Sequence, residues 1–220
     1  MVHAQLGDYP EALKHFIAAL KMDQAVGRRD WEADAMANIG NVHKEQHEHE
    51  LALEYLRASQ RLCGELGDRG GVARAHNNIA GVLESQRDLP ATKAHLDSAL
   101  SIQLELGYTF DALGTRANLS MLKLELGQQE EALRESEAVI RDAAAAGDPF
   151  DQGYAALVAG RVYKALHRFP EALERIDQAL ALGSEIGSDY LLSEGYRTRS
   201  VVDSARGDLV AAYHSYKKYR

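Results

Sequence analysis

His43 and His47 stand one helical turn apart with His49 close behind, the spacing at which two imidazoles can share a metal ion. In His43-Lys44-Glu45-Gln46-His47 the glutamate is not beside the first histidine, as the zinc-protease motif requires, so no such enzyme is indicated. His43 occupies a packing column shared with Leu83 and Tyr163, and His47 and His49 fall in a turn. All three are read as packed or solvated side chains, not as metal ligands. His76 and His95 show no partner in the sequence. Cys63 is the one cysteine and lies in the apolar stripe of a helix, where it reads as a buried, inert thiol. Alone it makes neither an intramolecular disulfide nor a thiolate zinc site, and it fits a reducing compartment. Gly70-Gly71 and Gly183 read as turns between repeats, not as a phosphate loop, and Glu130-Glu131 as solubilising charge. No residue is assigned a catalytic role, and no cofactor or metal is expected.

Charge narrows the partners. Lys and Arg number 25 against 33 Asp and Glu, a net charge of −8, which argues against nucleic acid and against an anionic membrane surface. The longest apolar runs, Phe16 to Leu20 and Tyr154 to Ala159, fall far short of the ~20 residues that span a bilayer. A cytoplasmic protein is expected.

The elements that position these side chains come from a repeat. Gly27, Gly67, Gly107, Gly147 and Gly187 are each 40 apart, as are Ala12, Ala52, Ala132, Ala172 and Ala212, with Thr92 in the one empty place. Val42, Val82, Leu122, Val162 and Val202 keep the same step. Within one period apolar residues recur twice at helical spacing with a break between, so each repeat is two helices. Trp31, Ala35, Ile39 and Val42 mark one stripe, and Ala52, Leu56, Ser59 and Leu62 the other. Gly7-Asp8-Tyr9-Pro10, Arg87-Asp88-Leu89-Pro90 and His167-Arg168-Phe169-Pro170 form the turns between paired helices. Their prolines suit a first helical turn, and Asp8, Asp88 and Asp208 suit caps. The glycine column lies just past each second helix, where positive φ stops it.

These residues resemble the tetratricopeptide repeat, in the 40-residue form found in bacterial signalling regulators. The signature reads as Asn38-Ile39-Gly40, Ala52, Leu56 and Ser59; as Asn78-Ile79-Ala80, Leu96 and Ala99; and as Gly160, Tyr163, Ala172, Ile176 and Ala179. The resemblance implies an all-α, right-handed α-α superhelical solenoid of helix-turn-helix repeats. One solenoid over 1-220 is expected, with partial repeats at 1-27 and 188-220 and full repeats at 28-67, 68-107, 108-147 and 148-187. Both ends stop inside a repeat, so the chain is read as a fragment of a longer protein.

The same resemblance assigns the first helices to a concave groove. It places Asn41, Lys44, Arg74, Asn77, Met121, Tyr154, Leu157, Arg161, Lys164 and Arg197 toward a bound partner. The groove so assigned runs from amide-rich, through small and apolar at Ala117 and Met121, to basic and aromatic at Tyr154, Arg161, Lys164 and Arg197. A peptide with an apolar anchor and an acidic end complements it. Reversing Arg161 and Lys164 is expected to spare the fold. Asn38, Asn78 and Asn118 form a ladder read mainly as a structural hydrogen-bond column, with peptide contact as the alternative. The function expected is non-catalytic protein or peptide binding in a larger signalling protein, ahead of an output domain such as a diguanylate cyclase or kinase. A self-associating homodimer and a small-molecule sensor are the alternatives.

Overall fold

The computed structural model describes residues 9–219, and among these it holds eleven α-helices and no strand. The turn at Gly7-Asp8 and the start of the first partial repeat lie outside the described residues. The chain divides into two compact units, Met1–Gly107 and Tyr108–Arg220.

The first unit holds α1 (Tyr9–Val26), α2 (Arg29–Glu45), α3 (His49–Leu66), α4 (Arg69–Ser85) and α5 (Leu89–Leu106). Consecutive helices pack together, and α2 also meets α4, so first helices of successive repeats touch. Two apolar clusters hold this arrangement: Ala52, Leu56, Ile79, Val82 and Leu83, and Ala33, Leu62 and Cys63. The second unit holds α6 (Thr109–Glu125), α7 (Gln129–Ala146), α8 (Pro149–Ala165), α9 (Phe169–Ile186), α10 (Asp189–Ala205) and α11 (Leu209–Tyr219). There α8 packs against α6, α7, α9 and α10.

Helix ends follow from named residues. Gly67, Gly107, Gly147 and Gly187 cap α3, α5, α7 and α9 at φ of 72, 70, 72 and 65°, a left-handed conformation that glycine adopts at least cost. Asp88 and Asp208 accept from the backbone N–H of Ala91 and Ala211 at 3.1 and 3.0 Å, capping α5 and α11. Pro90 and Pro170 sit in the first turns of α5 and α9, where no helical bond is lost.

Gly71 and Gly183 are not turn residues: they lie inside α4 and α9. What requires glycine there is close approach. A Cβ on Gly71 would stand 2.3 Å from Asp68 Oδ2 and 2.5 Å from Cys63 Sγ, and one on Gly183 would stand 2.9 Å from Leu191 Cβ.

Candidate functional site

A cleft of about 260 Å³ opens on the first unit between α2, α3 and α4. Asp34, Asn38 and Asn41 reach it from α2, Ser59 and Cys63 from α3, and Arg74 and Asn78 from α4. The helical period explains the set, since 34, 38 and 41 share one face of α2, and 74 and 78 the matching face of α4. Asn38, Asn41 and Asn78 are half-buried and have no side-chain hydrogen-bond partner among the described residues. Arg74 Nη2 lies 3.7 Å from Asp34 Oδ1 and 3.6 Å from Asp68 Oδ2 at the open rim. Asp68 in turn caps α4 by accepting from the Gly71 N–H at 2.8 Å. Cys63 floors the cleft at 3% exposure, and burial together with Asp68 pushes its thiol above the ordinary value. It is therefore protonated and a poor nucleophile at neutral pH.

The remaining residues assigned from the sequence divide. Lys44 pairs with Glu45 at 3.0 Å, and Asn77 is half-buried on α4 outside the cleft lining. Asn118 differs from Asn38 and Asn78, because its Oδ1 accepts from the Tyr154 hydroxyl at 2.8 Å. Met121 and Leu157, expected in an open groove, are 8% and 1% exposed. Met121 packs with Ala132, Val158 and Val162, and Leu157 with Leu113, Val139 and Leu191. Leu157 lies on α8, which packs against α6, α7, α9 and α10, and Met121 lies on α6 against α7 and α8, so positions open on a peripheral first helix are covered here. Ala117, read as a groove residue, is covered as well.

The basic end is also altered. Arg161 donates through Nη2 to Glu194 Oε2 at 2.5 Å and through Nε to Thr198 Oγ1 at 3.3 Å. Arg197 forks onto the same Glu194 at 2.6 to 3.2 Å. Burial raises the Glu194 carboxyl pKa, but Arg197 and Arg161 outweigh it and the net shift is downward. Two arginines thus share one carboxylate, and of the expected basic cluster Lys164 alone has no charged partner among the described residues.

The histidines rearrange too. His43 donates from Nδ1 to Glu48 Oε2 at 2.5 Å and stacks on Tyr55 with ring centroids 5.7 Å apart. His76 and His95 are each other's partner, Nδ1 to Nδ1 at 3.0 Å. The sequence held a signal for this: Arg116 and Glu135, also 19 apart and one period on, meet at 2.7 Å. Burial, and then His95, lowers the His76 pKa from its ordinary 6.5; burial, and then Arg57, lowers that of His95. The folded pair therefore resists protonation that the unfolded chain accepts. Its stability contribution is complete above about pH 6.5 and is lost as pH falls below it. In urea unfolding, acidification from about pH 7.5 to about pH 5.5 is expected to lower wild-type stability more than that of His76→Gln. The variant comparison cancels the opposing response of Asp151, whose raised pKa makes the second unit gain stability on acidification toward about pH 4.

Comparisons with known proteins agree with this architecture. Residues 1–64 match the tetratricopeptide repeat family model. No curated protein matches the chain. Among solved structures, a Rap protein complexed with Competence and Sporulation Factor is similar over 99% of this chain and 60% of its own, with a TM-score of 0.83 and 17% identity. The Rap conjugation gene regulator of plasmid pLS20, in complex with a Phr peptide, is similar over 99% and 70%, at 0.75 and 14%. BtubC from P. vanneervenii is similar over 96% and 89%, at 0.74 and 14%. Residues 1–64 carry the tetratricopeptide repeat, and the whole described chain has the same helix-turn-helix array as these structures. Among the described residues no helix is long and apolar enough to cross a membrane.

Proposed function

We propose that this chain is a non-catalytic polypeptide-binding module and that the cleft of the first unit receives an extended segment of its partner. The observation that carries this reading is the set of three unpartnered amides, Asn38, Asn41 and Asn78, facing one cleft. An extended peptide offers backbone donors and acceptors, and each amide side chain can satisfy both. Arg74 and Asp34 at the rim give the cleft a cation and an anion with which to orient the segment. That two similar Rap structures hold Competence and Sporulation Factor and a Phr peptide supports the reading. We place the module in a cytoplasmic, bacterial signalling protein, passing occupancy to an output domain.

The test uses random dodecamers displayed on phage and selected on the intact chain. Selected peptides should bind Asn38→Ala/Asn78→Ala about ten-fold more weakly, the loss of one to two hydrogen bonds, with an unchanged thermal midpoint. Equal binding by both proteins removes the site from this cleft. Self-association is the second reading, favoured by Met22 and Val26 on α1 and Leu209 and Val210 on α11, each 67 to 70% exposed. A concentration-dependent mass in sedimentation would favour it.

A further inference from the structure

Phe110, Phe150 and Tyr190 are the second residues of α6, α8 and α10, forty apart in sequence, and are 54, 42 and 51% exposed. Because α8 touches both α6 and α10, the three rings occupy the same turn of three neighbouring helices in the second unit. The Phe150 and Tyr190 ring centroids lie 6.0 Å apart, and the Tyr154 ring is 6.2 Å from Tyr190. Aspartates flank every ring along the chain: Asp111 after Phe110, Asp148 and Asp151 around Phe150, and Asp189 before Tyr190. None of these four carboxylates has an ion-pair partner among the described residues. By contrast Arg116, Arg161 and Arg197, further along the same helices, are all tied to carboxylates.

Helix N-termini favour acidic residues, which accounts for the aspartates but not for exposed aromatic rings beside them. Burial, with Asp148 and Asp111 adding like charge, moves the Asp151 pKa up to about 6. Asp148 caps α8 by accepting from the Asp151 N–H at 3.0 Å, so Asp111 and Asp189 are the exposed carboxylates left without an ion-pair partner at this end. Ring faces carry negative quadrupole density, so rings and carboxylates attract the same partner.

We propose that this face of the second unit docks a basic polypeptide segment, its cationic side chains lying across Phe110, Phe150 and Tyr190 and pairing with the adjacent aspartates. Arginine fits better than lysine, since its planar guanidinium stacks on a ring while donating to a carboxylate. Packed helices stand about 8–10 Å apart and an extended chain advances about 3.3 Å per residue, so one arginine in every three residues sets one cation at each helix end. The surface is separate from the amide cleft, and either can fail without the other.

The probe is fluorescein-labelled GRGGRGGRG, read by anisotropy at low and physiological salt against its lysine and glutamate counterparts. The arginine peptide should bind tightest, the glutamate peptide not at all, and salt should weaken binding. Replacing Phe110, Phe150 and Tyr190 together by leucine keeps apolar bulk and net charge while removing the rings. That variant should lose about ten-fold in affinity. Asp111→Asn/Asp189→Asn should lose at least about five-fold, and Glu130→Gln/Glu131→Gln, the same charge change on α7, less than about two-fold. Wild-type affinity in the triple leucine variant overturns the proposal, as does equal loss in the α7 control. So does loss of binding in Asn38→Ala/Asn78→Ala, which would place the peptide in the first unit and leave the cleft reading standing.

Discussion

Replacing Arg161 by glutamate is expected to destabilise the second unit by about 2–4 kcal/mol, while the same change at Lys164 stays within about 0.5 kcal/mol. The two positions are neighbours on one helix, and both read as exposed groove cations in the sequence. The structure separates them. The Arg161 side chain is 24% exposed and Glu194 21%, so their 2.5 Å contact is largely shielded from water. Reversal leaves Glu194 facing a second carboxylate in that space, and Arg197, 46% exposed on its own side chain, cannot compensate for both. Thr198 Oγ1 also loses its donor. Lys164 has no charged partner among the described residues to lose. Urea unfolding followed by circular dichroism measures the difference. A midpoint for Arg161→Glu equal to that of Lys164→Glu would show the pair contributes nothing and that the original exposed-face reading was sound.

The contrast also explains what was legible in the sequence. Helix number, the turns, the Asp88 and Asp208 caps and the glycine stops all follow from interactions within about five residues, and these repeat with the period. Burial of a first-helix position depends instead on which helices surround it. Asn41, Met121 and Arg161 share one column of the repeat, yet one lines a cleft, one is core and one is in an ion pair. The column identifies the face but not what covers it. Likewise the His76–His95 contact and the Arg161–Glu194 pair join different helices, so neither follows from spacing within one helix. The Asn column shows the same limit from the other side. Asn118 has a tyrosine hydroxyl one repeat away, where Asn38 and Asn78 have none, because the matching residue is Tyr154 in one repeat and Arg74 in another.

The largest effect is expected at Leu157. Truncation to alanine should lower stability by about 2–5 kcal/mol, the range for removing three carbons from a packed interior. An open groove position would instead change it by about 0.5 kcal/mol or less. Leu157 is 1% exposed and packs in one cluster with Leu113, Val139, Ile140 and Leu191, drawn from α6, α7 and α10 as well as its own α8. Those neighbours are fixed by small residues that bring the helices close. A Cβ on Gly195 would stand 2.5 Å from Leu180 Cδ2 and 3.9 Å from Leu157 Cδ2, so α10 sits against α8 and α9 with little room to shift inward. A site that cannot collapse keeps its cavity, which places the expected loss in the upper part of the range. Leu157→Met, which keeps volume, should lose less than about 1.5 kcal/mol and serves as the control for shape. If Leu157→Ala and Leu157→Met unfold at the wild-type urea midpoint, Leu157 faces solvent and the groove assigned from the repeat extends through α8 after all.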